Sequence, residues 1–498
     1  MIKDEKILIG KAEEKEIYIL PSKLNRHGLI AGATGTGKTV TLKVIAESLA
    51  ELGVPSVIAD VKGDLTGMIV PGDQEGIQER LDSMDIKDYE VRKYPVHFYD
   101  IYQTRGHPIR AMLQDMGPLL ISRILDLSEA QQGIMNIIFR VAQDMELDII
   151  DLKDLQAMAS YVGEHAQEYT LKYGNVSKQS VGAIQRRLLE LESQGGEKFF
   201  GMPALDIEDW LQTENGLGIM NMIECEELYN HPLLYSTFLF WMLTEIYNKL
   251  PEVGDLEKPK VVFFFDEAHL LFNDAPRQLM EKIEQIVKLA RSKGIGIFFI
   301  TQSPGDIPGS VLAQLSNRIQ HSLRAYTPAE IKVAKLAAES FRENPNLDVV
   351  ELISNMKTGT ALVSTLGEDG APTIVEKTKI LPPRSSMTIA STDRVMLAIE
   401  TDTIYGKYER EYDPESAYEN IDTIRAEEEE AKRAAEEEKI RLKEEEKRAK
   451  EEAKAEAKKK NEKSWSDQMA QKAKRKVENE MLNIGIRQAR KFLKNFLK

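Results

Sequence analysis

A short apolar strand, Gly28–Ala31, runs directly into Gly32-Ala33-Thr34-Gly35-Thr36-Gly37-Lys38-Thr39, and a helix follows over about Thr39–Leu52. This juncture constrains the fold more than any other feature of the chain. The eight residues match G-x-x-x-x-G-K-[ST] at each fixed position, the pattern of a phosphate-binding P-loop. The glycines let the loop curl so that its backbone N–H groups converge on phosphate oxygens. The positive end of the following helix dipole adds to that attraction. Lys38 then reaches the β- and γ-phosphates of ATP, and the Thr39 hydroxyl ligates Mg²⁺. The helix reading rests on Val40, Val44, Ile45 and Leu49, which fall at helical spacing. Gly53 and Pro55 stop the helix, and Ser56–Ala59 forms a second strand ending on Asp60. Strand, helix and strand in this order make one right-handed βαβ unit, so the predicted class is α/β with a mainly parallel sheet.

At 498 residues the chain is too long for one ordinary domain. Short strands at Ile7–Ile9 and Ile17–Leu20 occupy residues 1–25, and the core takes up 26–111 and 212–385. Long amphipathic helices, among them Pro118–Leu127, Glu129–Asp144 and Ser180–Ser193, make 112–211 a helical insertion. Strands return at Gly218–Ile223, Lys260–Phe265, Gly296–Thr301 and Ala361–Thr365, and Pro382-Pro383 leads out of the globular part. An extension of the core follows at 386–424.

The segment 425–460 is nearly all Glu, Lys, Arg and Ala, and its only large apolar residues are Ile440 and Leu442. Without an a/d seam it reads as a lone solvated helix or a disordered tail. Residues 461–498 carry ten Lys/Arg against four Asp/Glu, interleaved with Met481, Leu482, Ile484, Ile486, Phe492, Leu493, Phe496 and Leu497. Such a basic amphipathic stretch fits an unknown protein partner, a nucleic-acid contact, a membrane surface, or packing back on the core. A net charge of −15 argues against a protein that coats nucleic acid over its whole surface, but leaves a locally basic pore open. Cys225 is the single cysteine, so an intrachain disulfide and a thiolate metal cluster are both excluded. No apolar run approaches the roughly 20 residues of a membrane span, and a cytoplasmic location is expected.

Val261–Phe265 is fully apolar and ends in Asp266-Glu267. Such a strand belongs in the middle of a parallel sheet, with its acids at the nucleotide edge. Asp266 is expected to hold Mg²⁺ through water, and Glu267 to polarise the attacking water. The strand Gly296–Thr301 ends on Gln302, which at the tip of a neighbouring strand would sense the γ-phosphate; an ordinary loop glutamine is the competing reading. Asp60, within Asp60-Val61-Lys62-Gly63-Asp64, either reaches the site or caps its own turn. Arg318, then Arg291, are the candidate arginines for completing a neighbour's site, with Arg324 a further possibility. The seven histidines show no metal-ligand spacing.

Taken together, the P-loop, Asp60–Asp64, Asp266-Glu267-Ala268-His269 and Thr301-Gln302-Ser303-Pro304 resemble the HerA/FtsK branch of additional-strand P-loop ATPases. Asn25-Arg26-His27-Gly28-Leu29-Ile30, Gly106-His107-Pro108-Ile109-Arg110 and Asp115-Met116-Gly117-Pro118-Leu119-Leu120 bring the likeness closer to one group. This is the bacterial HerA-like helicase C-terminal family (domain of unknown function 853, YjgR-like). The motifs cover about residues 5–420. The resemblance implies a RecA-like core, a hexameric ring around DNA, active sites shared between subunits, and the arginine of Ser316-Asn317-Arg318 acting in trans. It also implies Lys38 and Thr39 on phosphate and metal, Asp266 and Glu267 on metal and water, and Gln302 on the γ-phosphate. The roughly 25 residues ahead of the core are too few for the β-barrel of full HerA translocases, so the nuclease docking tied to that barrel is not expected here.

The expected function is an ATP-hydrolysing ring motor that translocates on or remodels DNA without reading its sequence. A nucleotide-gated scaffold that recruits a partner is the alternative, though an intact Glu267 weighs against it. A small-molecule kinase with 112–211 as its lid is disfavoured by the resemblance.

Overall fold

The apolar runs of the core enter one thirteen-stranded sheet in the computed structural model, which describes residues 1–272, 277–324 and 326–495. Its centre is parallel, and the neighbours run in the order Asn317–Gln320, Gly28–Ala31, Ile295–Thr301, Val261–Phe265, Ser56–Asp60, Met220–Glu224 and Val96–Asp100. Ile295–Thr301 thus inserts between the P-loop strand and the acid-bearing strand. Because these strands share one direction, Ala31, Thr301, Phe265 and Asp60 end at the same edge. The strands are buried on both faces, which explains why they read as unbroken apolar runs and not as alternating ones. Under them the P-loop helix, Lys38–Glu51, packs Val44, Ile45 and Leu49 against Ile30, Ile58 and Phe264.

Beyond Asn317–Gln320 the sheet turns antiparallel through Thr360–Ser364, Glu376–Ile380 and Lys6–Ala12. The N-terminal strands therefore extend the core sheet and do not stand apart from it. Among the strands of four residues or more, three escaped the sequence reading. Asn317–Gln320 has only Ile319 as a large apolar residue, Glu376–Ile380 buries only Thr378 and Ile380, and Val96–Asp100 is interrupted by His97.

Residues 113–199 form six helices whose apolar stripes meet at Met135, Ile138, Met158, Val162, Ile184 and Leu188. Glu129–Asp144 matches its predicted bounds because Ser128 and Gln131 close a capping box at its start. The preceding helix begins at Leu113, not Pro118, with a kink at Gly117 (φ 71°, ψ 166°) joining an earlier turn to it. The extension after residue 385 is bound to the rest of the first unit. His107 is fully buried between Asp402 (Nε2 to Oδ2, 2.6 Å) and Glu409, and Arg110 donates to the Tyr408 carbonyl (2.9 Å).

The chain divides into two units, Met1–Ile421 and Asp422–Lys498. The second is continuous helix to Asn495, with ion pairs one turn apart such as Lys432–Glu428, Arg433–Glu429 and Lys450–Glu446. Its Trp465, Met469, Met481, Leu482, Ile484, Ile486, Phe492 and Leu493 are exposed. Phe496 and Leu497 lie outside the described residues. Among those described, no helix is long and apolar enough to cross a membrane.

Candidate active site

Gly32, Gly35 and Gly37 take φ of 155°, 78° and 112°, values that L side chains rarely adopt, and Gly37 leads into the P-loop helix. A Cβ on Gly32 would meet the Cβ of His321 at 2.5 Å, so the neighbouring strand also forbids a side chain there. The loop is held from that side: Ala33 N donates to the Ser322 carbonyl (2.8 Å), and Gly359 N donates to the Thr36 carbonyl (3.0 Å). His321 lies 2.8 Å from the Thr41 hydroxyl through Nε2, and burial, with the Lys38 charge, lowers its pKa to about 4 and keeps the ring neutral. Arg80 braces Gly359 in turn, donating to its carbonyl at 2.6 Å.

Lys38 is buried and donates to the Gly32 (2.7 Å) and Ala33 (3.3 Å) carbonyls, which folds its ammonium over the loop. Burial, and then the positive charge of Lys62, lower its pKa. The Thr39 hydroxyl donates to Asp64 Oδ2 at 3.3 Å. Asp266 and Glu267 follow the last residue of the buried Val261–Phe265 strand, and Glu267 adopts φ 46°, ψ 48°, a costly conformation for a non-glycine residue. Its carboxylate accepts from Lys62 Nζ and lies 3.3–3.4 Å from Gln302 Nε2, so the fold brings Gln302 to Glu267 as the strand order predicts. His269 Nδ1 stands 3.2 Å away. Burial pushes Asp266 up to about 6 against the pull of Lys62, with the Glu267 charge adding to the rise. For Glu267 burial acts in the same direction, but Lys62, Gln302 and Lys38 outweigh it and hold the carboxyl below its usual range.

Asp60 resolves in favour of its turn. Its carboxylate accepts from the backbone N–H groups of Lys62 (3.2 Å), Gly63 (2.8 Å) and Leu65 (3.1 Å), fixing the loop that presents Lys62 and Asp64. Those two residues, which sequence reasoning passed over, are the ones of this motif that touch the site residues. Asp64 Oδ1 is buried without a hydrogen-bond partner, and its Oδ2 accepts from the Thr39 hydroxyl. Among the described residues no three His, Cys, Asp or Glu side chains cluster as a metal cage. A Mg²⁺ ion that takes most of its ligands from phosphate and water needs only the Thr39 hydroxyl and one or two carboxylates, and the residues present fit that demand.

Neither arginine lies among these groups. Arg318 spends its guanidinium on three carbonyls of its own chain, Leu315 (3.1 Å), Ser340 (3.1 Å) and Leu312 (3.2 Å). Arg291 pairs with Asp255 at 3.1 Å, just before the Ile295–Thr301 strand and therefore at the sheet edge opposite the P-loop. His27, from the Asn25–Ile30 motif, is structural. It bridges the Val287 carbonyl (2.7 Å) and the Ile297 N–H (3.1 Å), and the next residue is glycine because the Phe298 ring occupies the space a Cβ would need.

The family described as helicase HerA-like C-terminal matches residues 5–493. The chain belongs to this family. The match continues through the charged helix, past the end near residue 420 that the motifs alone indicate. HerA-like relatives include the DNA double-strand break repair helicase HerA of Sulfolobus acidocaldarius, 21% identical over 362 residues, or 72% of this chain and 65% of that protein. The protein of the same description from Sulfurisphaera tokodaii is 21% identical over 373 residues, 72% of this chain and 66% of that one. The chain thus spans slightly less than two thirds of these relatives. Among solved structures, the bacterial conjugative coupling protein TrwBdeltaN70 superposes with a TM-score of 0.52 at 15% identity, covering 78% of this chain and 93% of that one. TrwB in complex with the non-hydrolysable ATP analogue ADPNP gives the same TM-score, identity and coverage. These two establish likeness of fold.

Proposed function

We propose that this HerA-like protein hydrolyses ATP and uses the energy to translocate on or remodel DNA as a ring oligomer, a hexamer by the family likeness, in the cytoplasm. The observation that carries the hydrolytic part is Glu267, held at the tip of the acid-bearing strand next to Gln302 and within the influence of the Lys38 charge. A switch protein that merely binds nucleotide has no need of an ionised carboxylate there. The P-loop amides and Lys38 bind the β- and γ-phosphates; Thr39 and Asp266, with Asp64, hold Mg²⁺. When bound, the metal neutralises charge on the phosphates. Glu267, kept anionic at neutral pH, accepts the proton of the attacking water, and Gln302 orients that water or reports the terminal phosphate. The helicase descriptions of the relatives support DNA as the track, and a motor that grips phosphates needs no sequence reader.

The test is ATP turnover with and without duplex or single-stranded DNA. Glu267→Gln should lower kcat by about 10²–10⁴-fold while nucleotide binding persists. DNA should stimulate the wild-type protein, with an effect that declines as salt rises. Turnover indifferent to every DNA at all salt concentrations would remove the motor reading and leave a scaffold ATPase. The exposed apolar residues of the helix after Asp422 suit the docking of a protein partner in either case.

A further inference from the structure

Lys62 has no part in the P-loop or in the acid pair, yet its charge bears on both. Its ammonium contacts Glu267, and the charges of Asp266 and Asp64 act on it as well. On its other side it is near enough to Lys38 for the two positive charges to oppose one another. The backbone beneath it is immobilised by Asp60, which caps the N–H groups of Lys62, Gly63 and Leu65. Glu267 is equally constrained, in left-handed backbone at the end of a buried strand. Between two fixed backbones, the Lys62 side chain is the adjustable component, and it is 38% exposed where Glu267 is 6%. A lysine ammonium is a compact point charge with three donors on a flexible stem, so it can change oxyanion partners without moving the backbone.

We propose that Lys62 is a positioning residue that holds the Glu267 carboxylate through an ion pair and exchanges it for the γ-phosphate of bound ATP. This rests on the reading of Glu267 as the group that activates water. A terminal phosphate carries more charge than one carboxylate and enters the space between Lys38 and Glu267, so it competes directly for the ammonium. The exchange releases Glu267 toward water only when a third phosphate is present. ADP supplies no such competitor, and Lys62 stays with Glu267.

A double-mutant cycle on binding tests this without turnover. Kd is measured for a fluorescent non-hydrolysable ATP analogue and for its ADP counterpart in the wild type, Lys62→Met, Glu267→Gln and the double variant, all in the full chain. Lys62→Met should weaken the ATP analogue by about tenfold or more, the worth of one charge-assisted hydrogen bond, and leave ADP unchanged. Glu267→Gln should tighten the ATP analogue alone, because Lys62 no longer has to leave a carboxylate, and the gain should vanish in the double variant. Lys62→Arg should restore discrimination between the two nucleotides. Equal effects on the ATP analogue and ADP, or effects of the two substitutions that simply add, would overturn the proposal. Wild-type protein without ATP turnover would instead overturn the hydrolytic reading, and the binding cycle would still report on Lys62.

Discussion

Glu47 offers a test of how the P-loop helix is anchored. It is completely buried on that helix and accepts hydrogen bonds from the Arg384 N–H (2.8 Å), the Ser385 N–H (3.1 Å) and the Ser385 hydroxyl (2.5 Å). One turn earlier Lys43 donates to the Ser386 carbonyl at 2.9 Å, so the helix grips the segment following Pro382-Pro383. Burial pushes the Glu47 carboxyl up to about 7, against the opposing pull of these donors. The folded state therefore binds the proton more tightly than the unfolded chain. The stability this confers is fully present below the ordinary carboxyl pKa of about 4.3, is lost as pH rises toward 7, and changes no further above it. At about 1.4 kcal/mol per pKa unit, the full loss is about 4 kcal/mol, of which about 3 kcal/mol falls between pH 5 and pH 8. Glu47→Gln has no such dependence, but its amide NH₂ faces one of the backbone donors and leaves it unsatisfied, at a cost of about 1–3 kcal/mol. The variant should be the less stable protein at pH 5, and the difference should shrink by about 3 kcal/mol or change sign by pH 8. Urea unfolding followed by tryptophan fluorescence reads this out, since Trp210 and Trp241 are buried in the same unit. A stability difference that is the same at both pH values would refute the reasoning.

His107 should behave with the same sign for a different reason. Burial opposes its charge, but the carboxylates of Asp402 and Glu409 prevail and hold the imidazolium above its usual range. The clamp on residues 402–409 should be intact below the ordinary histidine pKa of about 6.5 and weaken as pH rises through the elevated value. Amide hydrogen exchange in 402–409 should quicken over that interval in the wild type and be fast throughout in His107→Gln. Arg318→Ala strips donors from three carbonyls and should cost about 2–4 kcal/mol in urea unfolding. Mixing Arg318→Ala with Lys38→Ala subunits, under conditions where subunits exchange, tests the role in trans: recovered turnover supports it, and none withdraws it.

Much of the site was legible because its signals are local. The P-loop needs glycines at fixed offsets and a lysine on the first helical turn, and each requirement is met within eight consecutive residues. The buried strand before Asp266 announces itself by five apolar residues in a row, and Gln302 by its position at the end of another such run. Asp60 shows the limit. Its motif was visible, but whether the carboxylate faces the phosphates or its own turn depends on where the N–H groups of residues 62–65 lie.

By itself, then, the sequence determined the α/β class, the P-loop and its helix, and the acid pair, since each depends on spacing along one segment, while for the charged segment after residue 425 it left helix and disordered tail both open. Only the tertiary structure decided the rest. It inserted Ile295–Thr301 between the P-loop and acid strands, put Lys62 on Glu267 across 205 positions of chain, and set His321 against Thr41 across 280. It also gave Arg318 its three carbonyls. The reason is physical. A side chain's pKa, and whether it serves structure or chemistry, is set by neighbours that sheet order and burial bring together, and these leave no periodic trace in the order of residues.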